Sequence, residues 1–406
     1  MKILQLCKKP PFPAADGESI AILSITQELH RRGHQIHVLY MNTPKHRFNP
    51  DDLPDEVNKI AQFEAVFVNT RFSFFRDTYA FVTGFSSHIM RFVSIEFIGA
   101  IRRLLQTNHF DVVQMEGIYL AYYLPVVQNL APHLPVIMRT HNIEHAIWYR
   151  VADEEKNPFK RYLLALLARR LERFEYQMLP RFDAIASISP ADTQIMKNKG
   201  RMPEIMTLPV GVNTDKYPYT PPDNTTTPNL FFIGSLDWLP NRLGLQWLFE
   251  KVMPLVQQTY PQVQLMVAGR NAPPDFLTQQ ISGVQIIGEV PNAITFMQEQ
   301  GIMLAPLFSG SGMRVKIIEG MALGKPIVAT SIAAEGIGCQ SGVDILIADE
   351  PQAFAQYICQ LLSDLQFCRQ LSANARTFVH KHHNNSVLVA QLEDLYSKQL
   401  KKYRKN

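Results

Sequence analysis

The sequence has little cysteine, little net charge and no long apolar run. Its 406 residues include four cysteines and carry a net charge of +4. The cysteines form no CxxC pair, which argues against a zinc site or a disulfide framework and is typical of a reducing compartment. So small a net charge proposes no nucleic-acid partner. No stretch approaches the roughly 20 apolar residues that a membrane-spanning helix needs.

We also expect no signal peptide at the N-terminus. Its first apolar run ends at Lys8, which is too early for the core of a signal peptide. No GxGxxG fingerprint follows the first strand of either half of the chain, and this absence disfavours a dinucleotide dehydrogenase. We therefore expect a cytoplasmic protein that is not integral to a membrane.

Two series of short apolar runs alternate with longer segments of helical periodicity. The first series lies at 2–6, 36–40, 65–68, 111–115, 136–139, 184–188 and 205–208, and the second at 229–233, 264–268, 284–287, 302–306, 327–329 and 345–347. Near-continuous apolar strands that alternate with helices indicate a parallel sheet covered on both faces. The two series predict an α/β fold with two doubly wound domains.

A segment rich in proline and threonine, 217–229, separates the two series. Such a composition is typical of a semi-rigid linker. We assign residues 1–215 to the first domain, 216–229 to the linker and 230–383 to the second domain. Ligands of open α/β sheets collect at the carboxyl ends of the strands, so we expect a shared interdomain cleft with sites just after strands.

The densest candidate chemistry follows the strand that ends near Pro306. A loop of small residues leads into a helix that we expect to begin about Gly312, with Arg314 and Lys316 in its first turns. Cations are disfavoured at a helix N-terminus unless an anion binds there. The pattern therefore predicts a phosphate or diphosphate held by these two cations and by loop amides. The amides are those of Gly310, Ser311, Gly312 and Met313.

Glu319 lies one helical turn beyond Lys316 and could accept hydrogen bonds from ribose or sugar hydroxyls. The alternative is that Lys316 and Glu319 form a solvated ion pair and that the loop is a plain connection.

In the first domain, polar residues follow several strands. Gly17 lies at a strand-to-helix turn where backbone can approach an anion, although a glycine that merely suits the turn is an equal alternative. His141 follows another strand and could bond a reacting sugar hydroxyl or a phosphate. A lone histidine is more often structural, but here it lies in a polar cluster. The candidates for the acceptor side are Asp16, Glu116, Asn142 and Glu144.

A segment from Phe72 to Tyr79 interleaves aromatic residues with arginine, and the pattern recurs around Lys160 and Arg161. These residues could line a lipid-linked acceptor site or rest on anionic lipid. The alternative is buried aromatic side chains with a solvated basic face.

Motifs in both halves resemble one family. The Pro-x-x-x-Gly loop at 13–17, the Arg-Gly-His at 32–34 and the block Gly-Ser-Gly-x-Arg-x-Lys-x-x-Glu-Gly-Met-Ala-x-Gly-Lys-Pro at 310–326 resemble the retaining group 1, family 4-like glycosyltransferases of the GT-B fold. The resemblance implies two Rossmann-like domains that face a cleft, with the nucleotide donor in the C-terminal domain and the acceptor facing the N-terminal one. It also implies that a last helix, 384–402, packs back on the first domain, and that no metal or other cofactor is needed.

By this resemblance, Glu319 would hold the ribose, the amides of 310–312 the diphosphate or sugar, and Gly17 the phosphate from the opposite side. His141 would match the active-site histidine of the family. Two departures stand out. The first glutamate of the family's Glu-x7-Glu motif is Ser311 here, and the family's Gly-Arg after the first strand of the second domain is Gly234-Ser235. We expect Arg314 and Lys316 to take over the diphosphate charge.

The resemblance thus implies an enzyme that moves a sugar from a UDP- or GDP-linked donor to a glycan or lipid-linked saccharide with retention of configuration. Bacterial surface polysaccharide synthesis, in the cytoplasm or on the inner face of the cytoplasmic membrane, is the expected setting. One alternative is a sugar-nucleotide epimerase or hydrolase of the same shape. Another is a catalytically silent sugar-nucleotide-binding protein.

Overall fold

A computed structural model describes residues 1–14, 16–222, 229–310 and 313–404 of the chain. The chain divides into two compact units, the first made of Met1–Pro209 and Leu388–Asn406 and the second of Val210–Val387. The second unit therefore begins before the expected boundary at 215. Tyr217 is buried in a core cluster of this unit, so the first part of the expected linker 216–229 is packed chain. Residues 223–228 of that linker lie outside the described residues.

The first unit is built on a seven-stranded sheet. Its strands are β1 (Lys2–Cys7), β2 (Gln35–Asn42), β3 (Gln62–Phe67), β4 (Val112–Glu116), β5 (Val136–Arg139), β6 (Ala184–Ser187) and β7 (Glu204–Thr207). They are ordered β3-β2-β1-β4-β5-β6-β7, and every pair is parallel. The strand order reverses between β1 and β4, which places a topological switch point there.

The helices of this unit are α1 (Gly17–Arg31), α2 (Asp55–Asn58), α3 (Phe74–Thr83), α4 (Ser87–Met90), α5 (Ile95–Thr107), α6 (Leu124–Leu130), α7 (Glu144–Glu154), α8 (Pro158–Met178) and α9 (Pro190–Lys197). Helices cover both faces of the sheet, and this explains why its central strands are apolar along their whole length. β1 and β4 are almost completely buried.

The second unit is built on a six-stranded parallel sheet. Its strands are β8 (Leu230–Ile233), β9 (Leu265–Ala268), β10 (Val284–Gly288), β11 (Ile302–Ala305), β12 (Ile327–Ala329) and β13 (Leu346–Ile347). The order is β10-β9-β8-β11-β12-β13, with a switch point between β8 and β11. The predicted α/β class with two doubly wound parallel sheets is confirmed, and each of the apolar runs identified in the sequence overlaps a strand.

The helices of the second unit are α10 (Leu239–Trp247), α11 (Met253–Thr259), α12 (Pro274–Leu277), α13 (Ala293–Glu299), α14 (Val315–Ala322), α15 (Ser331–Ala334), α16 (Pro351–Ser363) and α17 (Leu365–His382). A final helix, α18 (Asn385–Tyr403), belongs to the first unit from Leu388 onward. Its residues Leu388, Val389 and Leu392 are buried in one cluster with Ile3 of β1 and Ile22 of α1. None of the described helices is long and apolar enough to cross a membrane.

Candidate active site

In the second unit, the loops after β8 and β11 meet at the switch point. Gly310 has a φ of +110°, and a Cβ there would lie 2.8 Å from the ring of Trp238 in the other loop. Only glycine satisfies both constraints. The guanidinium carbon of Arg314 lies 5.7 Å from the centroid of the same ring. The aromatic side chain therefore joins the two loops beside the predicted phosphate site.

Arg314 occupies the N-cap of α14, because its backbone (φ −85°, ψ 83°) is not helical. The expected start about Gly312 is therefore wrong, and α14 begins at Val315. Burial lowers the pKa of Arg314, and the charge of Glu335 acts in the opposite direction. Met313 is half-buried next to it, whereas the predicted donors Ser311 and Gly312 lie outside the described residues. A partly buried cation thus lies where the helix dipole disfavours positive charge.

Glu319, on α14, is held by two neighbours. Lys316 Nζ lies 2.7 Å from Glu319 Oε2, so the ion pair named as the alternative does form. Tyr217 donates a hydrogen bond of 2.8 Å from its hydroxyl to Glu319 Oε1. Burial, followed by the charge of Glu319, raises the pKa of Tyr217. A carboxylate has about four acceptor positions, so Glu319 retains capacity for a ligand hydroxyl.

The loop after β8 is held by its own hydrogen bonds. Ser235 donates from its hydroxyl to Asp237 Oδ1 at 2.7 Å, and Asn241 donates from its side-chain amide to the Ser235 carbonyl at 2.8 Å. A Cβ on Gly234 would lie 2.8 Å from the Asn241 amide nitrogen. Hydrogen bonds and close packing therefore hold the backbone of Gly234 and Ser235 in place beside the switch point.

In the first unit, the end of β1 meets the start of α1. The Asp16 carboxylate caps α1 by accepting from the Ser19 amide at 3.0 Å, and both its oxygens lie 2.7 Å from Lys9 Nζ. A Cβ on Gly17 would meet nothing within 4 Å, and Gly17 does not have a positive φ. The turn itself therefore does not require glycine at this position.

Glu18 lies between two lysines that the sequence analysis did not assign to the site. Its Oε2 lies 3.1 Å from Lys9 Nζ and 3.3 Å from Lys8 Nζ. Burial alone would raise the pKa of Glu18, but the charges of Lys8, His141 and Lys9 lower it to about 2. Lys8 also lies 3.8 Å from Glu144 Oε1. The only sequence signal for these lysines was their position directly after a predicted strand.

His141 follows β5 and is buried against Glu116 at the end of β4. His141 Nε2 lies 2.8 Å from Glu116 Oε2, and Arg139 Nη1 lies 3.3 Å from the same oxygen. Two glutamine amides, those of Gln5 and Gln114, donate to the other oxygen. Glu116 is fully buried and contacts His141 and Arg139.

The remaining acceptor-side candidates lie in or beside the loop after β5. Asn142 is half-buried next to His141, and Glu144 is the first residue of α7. Tyr119 donates from its hydroxyl to Glu144 Oε2 at 3.0 Å. The fold thus brings Asp16, Glu116, His141 and Glu144 to the carboxyl edge of one sheet.

A cavity of about 670 Å³ opens at this edge of the first unit. Its lining includes Lys8, Lys9, Asp16, Glu18, Tyr119 and Trp148. Within the described residues, no group of three or more His, Cys, Asp or Glu side chains is arranged to hold a metal ion.

The aromatic segment before and in α3 is exposed. Phe72, Phe74 and Phe75 are 80%, 68% and 85% accessible, and Phe159 at the start of α8 is 76% accessible. The alternative of buried aromatic side chains is therefore wrong for these four residues.

Two family models match the chain. The model described as Glycosyltransferase Family 4 matches residues 15–216, and the model described as Glycosyl transferases group 1 matches residues 227–364. Together they account for most of the sequence. The chain belongs to the group 1 glycosyltransferases. It is thus a glycosyltransferase, and the predicted family is confirmed.

Full-length similarities accompany these matches. An uncharacterized 44.6 kDa protein in the cps region of Klebsiella pneumoniae is 22% identical over 96% of this chain and 98% of its own. Sucrose-phosphate synthase from Thermosynechococcus elongatus has a TM-score of 0.65 at 16% identity, over 98% of this chain and 99% of that one. HepE from Anabaena, solved with UDP-glucose, has a TM-score of 0.60 at 15% identity, over 98% and 100% of the two chains. These two structures support the GT-B fold of this glycosyltransferase.

Proposed function

We propose that this glycosyltransferase moves a sugar from a UDP- or GDP-linked donor to a hydroxyl of a glycan or lipid-linked saccharide, with retention of configuration. The observation that carries the proposal is the partly buried Arg314 at the N-cap of α14, beside the switch point of the second sheet. Such a position favours a bound anion, which offsets both the buried charge and the helix dipole. The UDP-glucose complex of the Anabaena neighbour supports a nucleotide-sugar donor.

The donor site as proposed uses residues of the loops and helix around this switch point. Arg314 and Lys316 neutralise the diphosphate leaving group, and the amides of Gly310 and Met313 donate to it. Glu319 accepts from the ribose hydroxyls, and Tyr217 fixes the orientation of its carboxylate. Gly234 and Ser235 border the site, and Gly17, at the start of α1, is proposed as a further phosphate ligand on the family pattern. These groups supply the charge that a metal ion would otherwise provide, so the reaction is proposed to be metal-independent.

The acceptor side as proposed belongs to the first unit. His141 bonds the reacting hydroxyl or the donor phosphate, and Glu116 sets the orientation of its ring through the 2.8 Å contact. Asp16, Asn142 and Glu144 surround it on the acceptor side. Surface polysaccharide assembly is the proposed setting, and the similarity to a protein of the cps region of Klebsiella pneumoniae supports it.

A cytoplasmic location, with peripheral contact to an anionic membrane surface, completes the proposal. The exposed aromatic residues of α3 support it, because aromatic side chains next to cations are typical of proteins that rest on lipid headgroups. Flotation with vesicles of anionic lipid would test it, and no difference from neutral vesicles would contradict it.

Nucleotide binding tests the donor site. Calorimetric titration of UDP, GDP and their sugar conjugates should find one ligand that binds the native protein. Arg314→Gln and Lys316→Gln should each weaken that ligand at least tenfold, since each removes a charge-assisted contact to the diphosphate. Lys251→Gln, an exposed cation of the same unit, is the matched control. Unchanged affinity in both site variants would overturn the assignment.

Turnover separates the alternatives. A transferase consumes donor rapidly only with acceptor, whereas an epimerase or hydrolase consumes it without one. A silent binding protein would bind the nucleotide with no turnover, and His141→Ala would then change nothing. The anomeric proton coupling of the product reports whether configuration is retained.

A further inference from the structure

The cavity of the first unit carries more positive charge than its own carboxylates balance. Of its lining cations, Lys8 and Lys9 are paired with Glu18 and Asp16 at distances of 2.7 to 3.3 Å. Three more cations, Lys45, Arg71 and Arg91, also line it. None of these three forms an ion pair with a carboxylate of the described residues.

Arg91 is the most constrained of the three unpaired cations. Its Nε is buried and has no hydrogen-bond partner among the described residues. A buried donor without an acceptor is energetically unfavourable. A ligand acceptor atom in the cavity would satisfy this donor, and a negatively charged one would also neutralise the charge of the Arg91 guanidinium.

His46 lies in the same lining. Burial lowers the pKa of His46, and the charges of Lys9 and Lys45 lower it further. Aromatic side chains, among them Phe92, also line the cavity, and His88 stacks on Trp148 with ring centroids 4.0 Å apart. The cavity thus combines aromatic side chains suited to a ring with cations suited to an anion, and its volume lies within the 300–1,000 Å³ typical of ligand pockets.

We infer that this cavity takes an acceptor that carries an anionic group, a carboxylate or a phosphate, which Lys45, Arg71 and Arg91 bind. The inference deepens the proposed function and rests on it, because it identifies the cavity ligand as the acceptor. A hexuronic acid within a saccharide and the diphosphate of a lipid-linked saccharide are the two sources of this chemistry.

Calorimetric titration with three probes tests the inference: a neutral glucosyl-glucose disaccharide, its glucuronyl-glucose counterpart and geranyl diphosphate. At least one anionic probe should bind at least tenfold tighter than the neutral disaccharide, and its affinity should fall as salt rises. Preference for the glucuronyl probe identifies a uronic acid as the source, and preference for geranyl diphosphate identifies a lipid diphosphate. Equal affinities, or no binding of any probe, would overturn the inference.

Variants locate the binding. Arg91→Gln and the double variant Arg71→Gln/Arg91→Gln should abolish the preference, whereas Lys59→Gln, an exposed cation outside the cavity, should keep it. Arg314→Gln should also keep it, which excludes binding of the anionic probe at the donor site. A preference that survives the double variant would overturn the inference, and melting temperatures establish that each variant is folded.

The two proposals fail separately. Donor turnover without any anion preference in the first unit would contradict only the acceptor inference. Anion binding that depends on Arg91, in a protein that binds no nucleotide, would leave the cationic subsite in place and contradict the proposed function.

Discussion

Replacing Glu116 by glutamine would remove the negative charge that faces a fully buried guanidinium. Arg139 Nη1 lies 3.3 Å from Glu116 Oε2, and both side chains are completely buried. At an effective dielectric constant of about 20, two unit charges at that distance attract by about 5 kcal/mol. Loss of one partner of a buried ion pair costs about 3–5 kcal/mol in measured cases. We therefore expect Glu116→Gln to lower the free energy of unfolding of the first unit by about 3–5 kcal/mol.

Urea unfolding followed by tryptophan fluorescence measures this loss. The chain has three tryptophans, and Trp148 lies in the first unit whereas Trp238 and Trp247 lie in the second. A background with the latter two replaced by phenylalanine makes the signal specific to the first unit. Glu204→Gln is the control, because the 2.7 Å pair of Glu204 with Lys398 is exposed and should contribute less than about 1 kcal/mol.

A second variant keeps the test open if the first fails to fold. Glu116→Gln/Arg139→Leu removes the orphaned charge as well and should recover part of the lost stability. A loss below about 1 kcal/mol for Glu116→Gln, or a double variant that simply adds the cost of Arg139→Leu, would refute the reasoning.

The pH dependence gives an independent check on the same carboxylate. Burial alone would raise the pKa of Glu116, but the charge of Arg139 and the hydrogen bond of His141 lower it below its ordinary value. The ionised Glu116 therefore contributes fully to the free energy of unfolding above its pKa in the unfolded chain, about 4.3. That contribution is lost as the pH falls through its pKa in the folded protein. The stability difference between the native protein and Glu116→Gln should shrink at acidic pH.

Three further predictions follow from single contacts. Glu18 has a pKa of about 2, so its stabilisation should be complete above an unfolded pKa of about 4.3 and fall toward pH 2, and Glu18→Gln should remove that slope in acid titrations of stability. Tyr217→Phe removes the 2.8 Å hydrogen bond to Glu319 and should cost about 0.5–1.5 kcal/mol in urea unfolding and weaken donor binding, and equal nucleotide affinity would contradict its positioning role. Gly244→Ala places a Cβ 1.7 Å from a backbone carbonyl oxygen and should lower the free energy of unfolding by about 1–3 kcal/mol or more. Gly99→Ala, whose Cβ has nothing within 4 Å, should instead stabilise α5 by about 0.5–1 kcal/mol. Similar melting temperatures for the two variants would refute the steric argument.

Strand positions could be predicted because they depend on local composition. A strand buried on both faces must be largely apolar, so β1, β4 and β11 could each be predicted from their own residues. The start of α14 was harder to predict from the sequence. The backbone conformation of Arg314 depends on the preceding loop and not on the helix propensity of arginine. Tyr217 was also predicted wrongly. Its proline-rich surroundings predicted a linker, but its side chain packs in a core cluster of the second unit.

Sequence by itself determined the two parallel sheets, the loops after strands that hold the candidate residues, and the family. Each of these depends on residues that are near one another in the chain. Only the tertiary structure decided the partners of those residues. It paired His141 and Arg139 with Glu116, set Lys8 and Lys9 around Glu18, and gave Arg91 no carboxylate partner among the residues that the structure describes. The contacts of Glu116 join the ends of two different strands, so they arise only when parallel strands bring their carboxyl ends to one edge of a sheet.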